Sequence, residues 1–230
     1  MQVTILCYHK VGPVSEEGRR LNIEPARLRS HVRFFSRQNH TFVRVSELLG
    51  SWRKGMVCFT FDDAYESTMV HAPGIFEEVG ARATFYAVPG RVGTVSDWDG
   101  QAARPLANWD LLRDAESNGH EIGNHTQNHV HLDSLDEKDQ LNEIVAARDR
   151  LESEGLRSSS FCFPYGGYDE RTVGQLQNAG YKVAVTLDKR PATREDDLLR
   201  LPRVVSAYSD TLPMLIYKLK LRPRLRRMRR

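Results

Sequence analysis

Short apolar runs alternate with amphipathic ones along the whole chain. Residues 2–8 (QVTILCY) are nearly all apolar or β-branched, the pattern of a strand buried on both faces. Residues 25–38 open on Pro25 and repeat Leu28, Val32 and Phe35 on one helical face. VCFTF (57–61) predicts a second buried strand, and Ala72 to Val79 a helix that stops at Gly80. ATFYAV (83–88) predicts a third strand. Asn108 caps a helix that stops at Gly119, and EIGN (121–124) predicts a short strand. Ser134 and Glu137 have the spacing of a capping box for a helix reaching Gly155, along which Leu141, Ile144, Val145, Arg148 and Leu151 keep the helical period. SSFCF (159–163), a helix capped by Asp169 and ending before Gly180, YKVAVTL (181–187) and RVV (203–205) complete the alternation. Strand–helix alternation of this kind predicts the α/β class with a mainly parallel sheet. Seven or so strands in residues 1–210, with no Gly-rich nucleotide fingerprint, favour a single-domain barrel over an open doubly wound sheet.

Composition adds an asymmetry. The 230 residues are 40% hydrophobic and 27% charged, ordinary for a globular chain, which excludes collagen, coiled-coil and low-complexity readings. The net charge of +3 is unevenly placed: residues 218–230 hold eight of the 33 Lys and Arg and no acid, leaving 25 bases against 30 acids in the rest. No apolar run approaches the ~18 residues of a spanning helix. The opening MQVTILCYHK lacks the basic start, apolar length and cleavage site of a signal peptide, which predicts a cytoplasmic location. Cys7, Cys58 and Cys162 are odd in number, widely spaced and set in apolar stretches, and read as buried reduced thiols.

The chemistry gathers just after the predicted strands. His9 comes after the first, Asp62 and Asp63 after the second, His125 and His129 after the EIGN strand, and Pro164, Tyr165 and Gly166 after the SSFCF strand. In a parallel barrel all of these lie at the C-terminal strand ends, where active sites of such folds are built. The Asp62–Asp63 pair reads either as a helix cap with a first-turn acid or as a metal ligand beside a base. His125 and His129, four apart, face one way on a helix or tight turn. With Asp63 they make two imidazoles and a carboxylate, a usual ligand set for a catalytic divalent ion with open positions. His120 and His131 read as surface residues or as supports of that set. Trp98, in VSDWDG, is either a platform for a sugar face or a packed loop residue; Trp52 and Trp109 read as structural aromatics.

T-F-D-D (60–63), G-H-E-I-G-N-H-T-Q-N-H (119–129) and F-C-F-P-Y-G (161–166) closely resemble, in order and separation, three motifs of the polysaccharide deacetylases, the NodB homology domain. The resemblance spans residues 1–206. It implies a distorted (β/α)7 barrel and metal-dependent removal of N- or O-acetyl groups from glycans. By motif position it implies Asp62 as general base and Asp63, His125 and His129 as ligands of a divalent metal, zinc first, with cobalt, nickel or iron as the other candidates. It implies that Tyr165 offers its backbone N–H to the oxyanion, and that Pro164, Tyr165 and Gly166 line the substrate.

Three departures sharpen the picture. Cys162 stands where many relatives have Arg, the late Asp-containing motif is replaced by V-T-L-D-K (185–189), and no His occurs after residue 131. Tyr8-His9 instead resembles the branch that deacetylates poly-N-acetylglucosamine, where an N-terminal Tyr-His supplies the catalytic acid; the alternative is a rim histidine. Arg203 either holds Asp62 in place of the missing arginine or sits on a surface edge. The resulting expectation is an N-deacetylase acting on amino sugars of a bacterial-type glycan, polymeric or lipid-linked. A deformylase of a lipid-linked sugar and a catalytically silent glycan-binding barrel are the alternatives. The apolar-then-basic tail, 211–230, predicts contact with an anionic membrane at its inner face, the alternative being a disordered solubilising tail; nucleic acid fits less well, because the acidic body repels phosphate.

Overall fold

The structure, a computed structural model, describes residues 1–206, 208 and 210–221. Seven parallel strands form its core: β1 (Gln2–Tyr8), β2 (Met56–Phe61), β3 (Thr84–Ala87), β4 (Glu121–Asn124), β5 (Phe161–Cys162), β6 (Ala184–Val185) and β7 (Val204–Val205). Neighbours in this series pair in parallel from β1 through β6. The sheet curls until one segment joins its two edges. Leu201 bridges to Val185, while Val204 and Val205 pair with Leu6 and Cys7 of β1. This is the distorted (β/α)7 barrel in a single mixed α/β domain. A short antiparallel pairing of Ala192 and Thr193 with Val3 and Gln2 extends β1 at its N-terminal end.

The helices arise from the same periodicities. Helix α1 (Pro25–Arg37) buries Leu28, His31, Val32 and Phe35. Helix α2 (Glu66–Glu77) begins earlier than its apolar period suggests, because Glu66, Ser67 and Thr68 carry no hydrophobic stripe; Pro73 lies inside it. Helix α3 (Trp109–Ser117) is capped by Asn108, whose side chain accepts from the Leu111 amide. Helix α4 (Glu137–Ser153) is capped by Asp136 and not by Ser134: the Asp136 carboxylate takes the Asp139 amide, while the Ser134 hydroxyl donates to His131 O. Helix α5 (Glu170–Asn178) carries the Asp169 cap. Strands β5 and β6 are shorter than their apolar runs.

Phe59, Phe61, Phe76 and Phe85 stack in the layer between sheet and helices, all fully buried. Burying each such ring is worth on the order of 2–3 kcal/mol. On the opposite, inner face of the sheet, Gly123 in β4 makes room for the Tyr86 ring, since a Cβ there would lie 2.5 Å from it. Leu215, in the short helix α6 (Leu212–Ile216), is fully buried in the Phe59 layer, and Lys218 Nζ donates to Asp210 (2.5 Å) and to Val205 O (3.2 Å). Met214 and Tyr217 remain 43% and 40% exposed. The polybasic residues 222–230 lie outside the described residues. Among the described residues no helix is long and apolar enough to cross a membrane.

Candidate active site

All the chemistry-bearing clusters leave the C-terminal ends of the strands. Asp62 and Asp63 come directly after β2, where the Asp62 amide still donates to Tyr8 O. The chain then turns sharply: Asp63 and Ala64 take φ of 70° and 48°, a conformation that costs on the order of 1–3 kcal/mol per non-glycine residue. Thr126, His129 and Tyr165 are also in this region, with φ of 66°, 57° and 59°. The surrounding structure enforces these turns. Asn124 at the end of β4 donates to Ile144 O and Tyr181 Oη and accepts the Thr126 amide, and Thr126 Oγ1 accepts the His129 amide. The His125–His129 pair therefore sits on a pinned tight turn, not on a helix.

This turn aims both imidazoles at Asp63. His125 Nε2 is 3.4 Å and His129 Nε2 3.0 Å from Asp63 Oδ1, and all three side chains are buried. His125 Nδ1 donates to the Cys162 carbonyl at 2.8 Å; a carbonyl only accepts, so this nitrogen keeps its proton. The His125 Nε2 points at a buried carboxylate oxygen that has no hydrogen-bond partner of its own among the described residues, and although burial works against charge on His125, Cys162, Asp63 and Asp62 together push this imidazole above its ordinary value, so positive charge is favoured at this spot. Acceptors facing one another in a dry site need a positive centre between them. A proton is a poor one at His129, where burial pushes the imidazole below its ordinary value. A divalent cation fits: the three donor atoms lie within 4.8 Å of one another, and both Nδ1 atoms have outer partners, Cys162 O and Tyr165 Oη (3.1 Å).

Asp62 is held differently. Arg203, fully buried, donates from Nη1 to Oδ1 at 2.6 Å and from Nη2 to Oδ2 at 2.8 Å, a bidentate pair. Its remaining donors reach Thr186 O (3.0 Å), Thr60 Oγ1 (2.9 Å) and Cys162 Sγ (3.1 Å), and its guanidinium carbon lies 5.9 Å from the Tyr86 ring centroid. Burial alone would raise the Asp62 carboxyl. The charge and hydrogen bonds of Arg203, with smaller help from His9 and His125, outweigh it and hold the group down to about 2. His9, at the end of β1, places Nε2 3.9 Å from Asp62 Oδ2.

The structure thus brings His9, Asp62, Asp63, His125, His129 and Arg203 into one cluster. Pro164, Tyr165 and Gly166 border it, with Tyr165 46% exposed. Trp98 stacks on His129 at 4.1 Å between ring centroids, so one of its faces is already used. His131 stacks on Tyr165 at 3.9 Å. His120 is neither a surface residue nor a support of this cluster: it is buried at the start of β4, where its Nδ1 accepts the Ala83 amide. Thr60 and Thr186, which hold Arg203, lie in the T-F-D-D and V-T-L-D-K stretches, with no role for either expected from the sequence. The available signal for Thr60 is strand alternation, which puts it on the same face as Asp62 two residues on.

Comparison with known proteins agrees with this construction. The deacetylase PplD of Streptococcus pyogenes, solved in complex with acetate, superposes with a TM-score of 0.82 at 20% identity, covering 96% of this chain and 99% of that one. IcaB of Ammonifex degensii superposes with a TM-score of 0.75 at 22% identity, over 93% of this chain and 95% of that one. At such identities the likeness concerns the fold. YxkH of Bacillus subtilis (strain 168), provisionally named a polysaccharide deacetylase, is 22% identical over 210 residues, 88% of this chain and 71% of its own length. The profile of the family described as Polysaccharide deacetylase matches residues 50–184, more than half of the sequence and the part that carries the Asp62–Asp63, His125–His129 and Tyr165 clusters, and this chain belongs to that family.

Proposed function

We propose that this hydrolase removes N-acetyl groups from amino sugars of a bacterial-type glycan, a surface polysaccharide or its lipid-linked precursor. The observation that carries the reading is the juxtaposition of a two-imidazole, one-carboxylate set with a second carboxylate kept ionised by Arg203. The relative PplD, in complex with acetate, is consistent with the product this reading requires.

Asp63, His125 and His129 would hold the divalent cation, with zinc the first candidate. Such a cation, when bound, supplies Lewis-acid polarisation of the acetyl carbonyl and a more acidic water. Asp62 takes the proton of the attacking water; Arg203 fixes the carboxylate in direction and charge. The Tyr165 backbone N–H offers a donor where negative charge develops on the carbonyl oxygen. His9 gives a proton to the departing amine, a poor leaving group without it. Pro164, Tyr165 and Gly166 border the sugar, and the face of Trp98 turned from His129 is the surface left for stacking.

Acetate and formate are measured in parallel across lipid-linked and polymeric N-acylated glycans, on protein of known metal content. Acetate from N-acetylated glycans supports the reading. Formate in its place would select a deformylase, and neither product would refute hydrolysis of these amides. The same reading sets the enzyme against the inner face of the cell membrane, with the basic residues that follow Lys218 contributing attraction to anionic lipid at on the order of 1 kcal/mol each.

A further inference from the structure

A second group of metal-binding side chains shares Asp62 but none of the Asp63, His125 and His129 set. Cys7 and His9 are two residues apart at the end of β1 and converge on one carboxylate oxygen. Cys7 Sγ lies 3.5 Å and His9 Nε2 3.9 Å from Asp62 Oδ2, and the three donor atoms lie within 4.8 Å of one another. Zinc bound tetrahedrally at ~2.3 Å from sulfur and ~2.0 Å from oxygen and nitrogen sets a sulfur–oxygen edge of about 3.5 Å and a nitrogen–oxygen edge of about 3.3 Å. The Cys7–Asp62 spacing already has that length. Among the described residues nothing pins the His9 ring against closing the small remainder, because none of them hydrogen-bonds its Nδ1. His9 is also the most exposed of the three, at 13% of its side chain, which leaves a way in and a fourth position for water.

We propose that Cys7, His9 and Asp62 form an inhibitory site for a thiophilic divalent cation such as zinc or cadmium. On binding, the Cys7 thiol gives its proton to solvent and its sulfur forms the bond to the cation; no electron transfer is involved. Arg203 stays in place, since Asp62 Oδ1 and the second lone pair of Oδ2 still accept from it. The cation occupies Asp62 Oδ2 and His9 Nε2, the groups assigned above to take and give the proton. The inhibitory half of the proposal rests on that assignment; the binding half does not. A third grouping, Asp62, His125 and Cys162, meets the same spacing. It is the weaker candidate, because His125 belongs to the Asp63 set and Cys162 Sγ is engaged by Arg203.

The test is a cadmium titration of the full chain already loaded with one equivalent of zinc, monitored by the ultraviolet cadmium–thiolate band and by deacetylase activity. The Asp63 set has no sulfur, so the band reports a thiolate site, and the two cysteine variants tell Cys7 from Cys162. The expected result is one further equivalent bound with a single-thiolate band, and activity lost over the same concentration range. Cys7→Ser should abolish the band and weaken this equivalent at least about 100-fold, whereas Cys162→Ser should keep both. A band that survives Cys7→Ser, vanishes with Cys162→Ser, or never forms overturns the site. If Cys7→Ser does not fold, His9→Gln decides: unchanged cadmium affinity overturns the proposal and a large loss supports it. A Cys7-dependent band with full activity retained would keep the binding site and remove its inhibitory role together with the roles given to Asp62 and His9.

Discussion

Removal of Arg203 should expose how strongly this site depends on one buried ion pair. In the native protein Asp62 is buried and held at about 2 against an ordinary 3.8. A carboxyl whose folded value is depressed adds stability that is complete above the unfolded value and is lost as pH falls through the folded one. For Asp62 this amounts to about 2 kcal/mol, lost between pH 3.8 and 2. Arg203→Met leaves a carboxylate with its desolvation and without its partner, so the loss at neutral pH should be about 3–5 kcal/mol. The sign of the pH effect then reverses. Burial now raises the carboxyl above its unfolded value, and the variant recovers stability relative to the native protein as acid neutralises Asp62. Adding Asp62→Asn to Arg203→Met removes the orphan charge and should restore a large part of the loss. Urea unfolding of the native protein, both single variants and the double variant, at several pH values from 4 to 8, measures all of this. Strictly additive losses with no pH dependence would refute the pairing and the reason given for Asp62 being ionised.

The same geometry sets other expectations. Asp62→Asn should lower turnover by about 10²–10⁴-fold with metal content unchanged, whereas His125→Ala should lose metal and turnover together, as read by elemental analysis beside the assay. His9→Ala should impair hydrolysis of an N-acetyl amide more than that of an activated aryl acetate, because only the amine needs a proton to leave; equal losses would argue against an acid role. Deletion of residues 222–230 should reduce flotation with anionic liposomes without disturbing the fold, since Leu215 and Lys218, which anchor α6, remain. Equal flotation of both forms would remove the membrane contact.

The strand–helix alternation made the barrel legible, because buried parallel strands are short continuous apolar runs and an amphipathic segment comes after each. The polar residues just past each strand made the cluster legible, since the fold places those positions on one face. Element boundaries were less visible. Helix α2 starts on polar residues with no stripe to mark it, and Asp136 competes successfully with Ser134 for the α4 cap because its carboxylate sits one residue before the first turn. The partner of Asp62 could not be decided from sequence: Arg203 lies 141 positions away and joins Asp62 only because the segment 201–205 closes the barrel against β1. Thr60 and Thr186 became recognisable only as the hydroxyl and carbonyl that take up the remaining Arg203 donors. Cys7 illustrates the same limit, since an apolar strand context says nothing of the carboxylate its thiol meets.

The most direct test of the account is acetate release from an N-acetylated glucosamine oligomer, counted against new free amines, by zinc-loaded native protein and by Asp62→Asn of equal zinc content. The expected result is equimolar acetate and amine from the native protein, loss on chelation with recovery on zinc return, and at most trace product from the variant. Native-level release by Asp62→Asn, or by protein stripped of metal, would contradict it.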